Sequence, residues 1–316
     1  MNPVVAIVKC PDYIQSHVDE AVDKILDLLG GIDKFVQKND SVLIKPNLLL
    51  AATPEAAVTT HPAVIRRLIE RVIEVGGKPV VGDSPAFGAT EKIAEQAGIA
   101  EVAREFGVEV IDLNKYARIP GKPGQSLRTF KLARAVLDSD VVINAPKLKV
   151  HQQMQLSGAI KNSFGCAPGK LKTRLHFYRG EDKLTFANMI LEYYQLVNPQ
   201  LTIVDGIIAM ERLGPHGGDC YPLGILTGGV DCAAMDRVHC EIIGMPADEL
   251  EFLIVAKELG IGETEIGKIK IVGESLDSVK VSDFKLSRQT AVGFSPHRVL
   301  KSIIKHFWIK MRQRYF

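Results

Sequence analysis

Apolar residues in this chain follow two alternating rhythms. Short, nearly continuous apolar runs rich in Val, Ile and Leu lie at 4–8, 41–44, 79–82, 108–113, 141–144, 201–204, 223–226 and 268–272, the pattern of strands buried on both faces. Between them, apolar positions at helical spacing predict helices over 17–29, 62–75, 91–106, 184–196, 233–243 and 247–258. Thr60 and Pro62 read as the opening of the second helix, Gly76 and Gly77 as its end, and Asp231 as a helix cap. Strands alternating with helices predict an α/β fold: a mostly parallel or mixed sheet with helices on both faces. The turn-rich stretch 113–129 reads as an excursion or a β-hairpin.

Composition narrows the class. A chain of 316 residues with 46% hydrophobic and 24% charged residues is globular, which excludes a disordered chain, a collagen and a bundle of membrane spans. The five cysteines contain no C-x-x-C pair, so local spacing supplies neither a zinc ribbon nor a ferredoxin cluster. The first residues lack the signature of a signal peptide, and the expected location is the cytoplasm. Residues 284–316 carry eight Lys/Arg and no Asp/Glu, leaving 31 basic against 37 acidic residues elsewhere, a body at −6. Residues 1–283 are therefore expected to form the α/β domain, with room for two subdomains, and 284–316 a basic tail. From Pro296 that tail has the spacing of an amphipathic helix, suited to a membrane surface or to self-association.

In open α/β sheets ligands lie beyond the carboxyl ends of the strands, and polar residues gather at the predicted ends here. They are Lys45 and Asn47, Asp83 and Ser84, Asn144 and Lys147, and Asp205 and Gly206. Turn chemistry explains Asp, Asn and Gly at such places; it does not explain Lys45, Lys147, Lys149 and Lys161. Residues 141–180 contain no Asp or Glu but hold Lys147, Lys149, Lys161, Lys170, Lys172, Arg174, Arg179, His151 and His176. Positive charge beside glycine turns suits capture of phosphate or carboxylate. A solvated basic face is the plain alternative; nucleic acid is disfavoured by the acidic body and by 6% aromatic residues.

Among the histidines, His61, His151 and His176 are candidates for proton transfer. His151 is preferred, because neighbouring lysines favour its neutral form. The candidate catalytic set is His151, Lys161 and Asp205, and no metal ligands are assigned. Met210–Gly218 reads as a rim loop or lid near Asp205.

Seven strings occur together in order: IKPNLL (44–49), TTHP (59–62), GDSP (82–85), NAPKLKVH (144–151), SGAIKNSFG (157–165), IVDGIIAMERLGPHGG (203–218) and GGVDCAAMD (228–236). From about Val4 to Glu274 the chain thereby resembles the bacterial and archaeal family known as domain of unknown function 362. The resemblance points to Lys45, Asn47, His61, Asp83, Asn144, Lys147, Lys149, His151, Lys161, Asn162, Gly165, Asp205, Gly206 and Asp236. Many members carry ferredoxin-type cysteine motifs beside this domain; this chain has none, so no iron–sulfur cluster is expected in it. The leading expectation is an enzyme holding an anionic metabolite or cofactor, of unknown identity, at the strand ends. The alternatives are a redox-accessory protein working with a separate ferredoxin and a peripheral membrane module using the basic tail.

Overall fold

Residues 2–179 and 182–290 are described by a computed structural model; the amphipathic helix expected from Pro296 lies outside them. The strands are β1 Val4–Lys9, β2 Ser41–Pro46, β3 Lys78–Asp83, β4 Val110–Asp112, β5 Tyr116–Pro120, β6 Thr129–Ala133, β7 Val141–Ala145, β8 Lys147–His151, β9 Gln155–Ser157, β10 Leu201–Glu211, β11 Asp219–Tyr221, β12 Ile225–Gly229 and β13 Lys270–Gly273. The helices are α1 Gln15–Leu29, α2 Pro62–Glu74, α3 Thr90–Gln96, α4 Ile99–Glu105, α5 Arg134–Asp138, α6 Ala159–Asn162, α7 Gly169–Arg179, α8 Lys183–Val197, α9 Cys232–Ile243, α10 Glu251–Leu259 and α11 Leu276–Val279.

The main sheet runs in the order β13-β1-β12-β10-β7-β2-β3-β4. Along this path β12 is antiparallel to β1 and β10, while the remaining neighbours pair in parallel. Seven of the eight strands therefore end on one rim. Alternation along each strand feeds two cores. Val42, Ile44, Val141 and Ile143 pack with α1 and α2 on one face, and Leu43, Val142 and Val204 join the core that holds α8, α9 and α10 on the other. Helices thus cover both faces, as continuous apolar strands require.

Several local outcomes differ from the sequence expectations. The helix expected over 91–106 is two, α3 and α4, because Gly98 adopts a left-handed φ of +72° between them. Helix α2 is capped by His61, whose Nδ1 accepts from Ala63 N–H. Thr60 is diverted instead to the strand ends, donating to the Ala145 carbonyl at 2.6 Å. Asp231 caps α9 as expected, accepting from Ala233 and Ala234 N–H. The turn-rich stretch closes an antiparallel hairpin, β5 with β6.

The largest differences lie around β10. Asp205 and Gly206 do not end a strand, since β10 continues to Glu211. Residues 147–151 are not a loop after β7. Pro146 interrupts the chain, its carbonyl still accepting from Asp205 N–H at 2.9 Å, and β8 resumes the parallel pairing along β10 with Lys147 opposite Asp205. Consequently Met210 and Glu211 belong to the strand, and only the residues after them form a loop. The chain also returns from α11: Phe284 is buried, Arg212 N–H donates to the Lys285 carbonyl, and Thr290 N–H donates to the Gln152 carbonyl.

Candidate functional site

Strand β8 explains why the lysines are spaced as they are. Side chains two apart on a strand share a face, so Leu148 and Val150 enter the apolar core while Lys147, Lys149 and His151 share the opposite face. All three are at most 4% exposed. The polar residues they meet come from the ends of β1, β2, β3 and β7 and from α6.

Two ion pairs anchor the cluster. Lys45 Nζ lies 2.8 Å from Asp83 Oδ1 and donates to the Pro46 carbonyl at 3.0 Å. Asp83 also accepts from Ser84 N–H at 2.8 Å and from Leu48 N–H at 2.7 Å. Burial alone would raise the Asp83 carboxyl; Lys45, Lys172 and these donors hold it below the usual carboxylate value. In the second pair Lys147 Nζ lies 3.0 Å from Asp205 Oδ2. Tyr13, from the segment after β1, donates its hydroxyl to Asp205 Oδ1 at 2.8 Å and accepts from Lys147 Nζ and from Ile208 N–H. The Tyr13 ring stacks on His61 with centroids 3.6 Å apart, and His61 N–H donates to Asp205 at 3.0 Å. Burial pushes the His61 imidazole down to about 4, with Lys147 acting in the same direction and Asp205 against it.

Asparagines knit the centre. Asn162 Nδ2 donates to Asn144 Oδ1 at 2.8 Å, Asn144 donates to the Ala159 carbonyl at 3.0 Å, and Asn47 accepts from Lys149 Nζ at 2.6 Å. Lys149 also donates to the Val58 carbonyl at 2.7 Å. Asp236, reaching from α9, accepts from Ala159 and Ile160 N–H at 2.7 and 3.0 Å and so fixes the short turn that presents Lys161 and Asn162. At Gly165 a methyl group would collide with Lys45 Nζ and lie 2.6 Å from Asp83 Oδ1. Only glycine lets this backbone approach the pair.

The remaining ammonium groups, on Lys149, Lys161 and Lys172, form no ion pair among the described residues. Burial, then Lys161 and Lys147, push Lys149 well below its ordinary value. Burial and the cationic neighbours Lys172 and Lys45 bring Lys161 down to about 8. Lys172 also falls to about 8, chiefly by burial, and donates to the Ser84 carbonyl. His151 Nδ1 accepts from Gln153 and Met154 N–H at 3.1 and 3.2 Å, which places the proton of the neutral ring on Nε2. Burial, then Lys161, His176 and Lys149, hold that ring neutral.

Of the residues singled out from sequence, Lys45, Asn47, His61, Asp83, Ser84, Asn144, Lys147, Lys149, His151, Lys161, Asn162, Gly165 and Asp205 meet in this one cluster. Gly206 lies beside it in β10, where a side chain would press on the Ile225 carbonyl at 3.2 Å. Two residues are placed differently. Lys170 is exposed on the first turn of α7, so the helix turns Lys172 inward in its place. His176 packs among aromatic rings, 4.4 Å from Phe186 and 6.1 Å from Phe164. Sequence reasoning missed Tyr13, whose segment carries no strand-end signal, and Asn114, which accepts from Ser84 Oγ and Gly169 N–H at 3.2 and 2.9 Å. Among the described residues no three His, Cys, Asp or Glu side chains converge as metal donors.

The fold and cluster define a class: an α/β protein with a buried, lysine-rich polar site at the carboxyl ends of its strands. Residues 42–241 match the family model for domain of unknown function (DUF362), and the chain belongs to that family. A thylakoid-associated protein of Synechocystis sp. (strain ATCC 27184 / PCC 6803 / Kazusa) is 33% identical over 309 residues, 97% of this chain and 95% of that protein. The solved lactate racemase apoprotein from Thermoanaerobacterium thermosaccharolyticum shares the fold with a TM-score of 0.52 at 8% identity, over 74% of this chain. This chain spans 55% of that structure's length. Among the described residues no helix is long and apolar enough to cross a membrane.

Proposed function

We propose that this chain is an enzyme that binds a small carboxylate- or phosphate-bearing molecule at the strand-end cluster. The observation that carries the reading is charge imbalance. Lys45, Lys147, Lys149, Lys161 and Lys172 gather in the cluster, and among the described residues only Asp83 and Asp205 form ion pairs with them. Burying three uncompensated ammonium groups is costly, and an anion among them would remove that cost. Two buried hydroxyls next to the cluster in sequence, Thr59 Oγ1 and Ser163 Oγ, have no hydrogen-bond partner among the described residues, as a polar ligand would leave them. In this reading Lys149, Lys161 and Lys172 hold the anion. Lys45 and Lys147 are oriented by their carboxylates, and His151 Nε2–H, on a neutral ring, donates a hydrogen bond to the bound molecule.

Isothermal titration of the full chain with inorganic phosphate and with pyruvate tests the reading. At least one anion should bind, and Lys149→Met and Lys172→Met should each weaken it about tenfold or more, the loss of a charge-assisted hydrogen bond. Binding unaffected by both substitutions would place the anion elsewhere.

A peripheral membrane role is a second reading, favoured by the thylakoid-associated relative. It is also supported by exposed Ile14, Phe87 and Leu213, which follow the ends of β1, β3 and β10. Sedimentation with phosphatidylglycerol vesicles decides it. A full-length chain that pellets no more than Phe87→Ser/Leu213→Ser or a chain ending at Ser295 would remove it.

A further inference from the structure

The five lysines of the cluster are not equivalent. Lys45 donates to Asp83 and the Pro46 carbonyl, Lys147 to Asp205, Lys149 to Asn47 and the Val58 carbonyl, and Lys172 to the Ser84 carbonyl. Lys161 has no hydrogen bond and no ion pair among the described residues; burial and the cationic neighbours Lys172 and Lys45 are what act on it. It is also the lysine a small molecule reaches. Lys45, Lys147 and Lys149 are at most 1% exposed and Lys172 is 9% exposed, whereas Lys161 is half-buried. The turn beneath it is rigid: Asp236 accepts both Ala159 and Ile160 N–H, and a side chain at Gly158 would collide with that carboxylate.

An amine held by packing, free of partners and surrounded by cations, has the environment that makes a lysine nucleophilic at neutral pH. We propose that Lys161 condenses with the carbonyl carbon of a small anionic oxo compound, an oxo acid or the phosphate ester of an aldehyde or ketone. This rests on the anion reading above, because Lys149 and Lys172 hold the ligand's negative group while its carbonyl meets Lys161. The Lys161 lone pair forms the C–N bond as the carbonyl π pair moves to oxygen. A proton shift from nitrogen to that oxygen gives the neutral carbinolamine. A further proton, taken from solvent water, lets the hydroxyl leave as water while His151 Nε2–H hydrogen-bonds to that oxygen, and the C=N bond forms. One proton is taken up and one water is released. The resulting iminium restores the positive charge that the neutral amine had given up. Burial lowers the Lys161 amine to about 8, so a useful fraction is neutral at physiological pH.

The test treats the full-length protein at pH 8 with pyruvate or glyoxylate and sodium cyanoborohydride, which reduces any imine to a stable secondary amine, followed by peptide mass mapping. Exposed Lys170 serves as the internal reference. Modification of Lys161 should exceed that of Lys170 by about tenfold or more, because burial holds its amine at about 8. Inorganic phosphate should suppress it, and Lys161→Arg should bind phosphate in calorimetry without forming the adduct. Equal modification of Lys161 and Lys170 with phosphate binding intact overturns this inference alone. Loss of both phosphate binding and selective modification overturns the anion reading beneath it.

Discussion

Lys161→Met removes an ammonium group that has neither a hydrogen bond nor a counter-ion among the described residues, and the sign of the stability change follows from proton linkage. The Lys161 value falls from its ordinary 10.5 to about 8 in the folded chain. Above pH 10.5 folded and unfolded chains both carry the neutral amine, and the group costs nothing. Between about 10.5 and 8 the unfolded chain binds the proton more readily, so stability falls as pH falls. Below about pH 8 both states are protonated and the whole cost is present, about 3 kcal/mol at 1.36 kcal/mol per pKa unit. Methionine keeps the length of the side chain without that cost, and it also ends the like-charge contact with Lys172. Lys161→Met should therefore be more stable than the parent by about 2–3 kcal/mol at pH 7. Its advantage should shrink from pH 8 toward pH 10 and disappear when a tightly bound anion saturates the parent. Urea unfolding of both proteins at pH 7, 8 and 9, at constant m-value, measures the difference. Taking the difference matters, because burial raises Cys10 to about 12 and Cys166 to about 11 and makes both proteins lose stability above pH 9. A Lys161→Met protein less stable than the parent, or an advantage independent of pH, would refute the charge-imbalance reasoning.

Asp83→Asn leaves Lys45 buried beside an amide and should cost about 3–5 kcal/mol in urea unfolding. Adding Lys45→Met should recover a large part of that loss, and a double variant as unstable as the single one would show that the pair is not the cause. Gly165→Ala forces its methyl into the Lys45–Asp83 pair and should destabilise by about 1–3 kcal/mol while weakening phosphate binding; unchanged values for both would mean that the loop yields. Tyr13→Phe strips a partner from Lys147, Asp205 and Ile208 N–H and should cost about 1–3 kcal/mol, read as a lower Tm in differential scanning calorimetry.

The α/β class and the gathering of polar side chains at the strand ends were legible because buried parallel strands announce themselves as apolar runs, and an ammonium has no place in an ordinary turn. The exact geometry was less so. A proline at 146 reads as a strand terminator, yet here it joins two strands that pair in succession along one long neighbour, so β8 was hidden. Its signature was nevertheless present in the alternation Lys147, Leu148, Lys149, Val150, His151. Lys170 and Lys172 are indistinguishable by composition; only the rotation of α7 decides which points inward. Tyr13 was invisible for another reason. It is brought to Asp205 by the adjacency of β1, β12 and β10, a long-range fact of sheet order that no local window contains.

Strand β8 also bears on how this sequence can change over evolutionary time. A substitution within 147–151 alters one contact, but inserting one residue between Pro146 and Lys147 would reverse the facing of all five. Two ammonium groups would be driven into the apolar core, and Leu148 and Val150 would be delivered to the polar cluster. The chemistry of the cluster and the solubility of the core are therefore written in the same five letters. Length variation in this family is accordingly expected in the loops around β11 and in the β5–β6 hairpin, and not between Pro146 and Gln152.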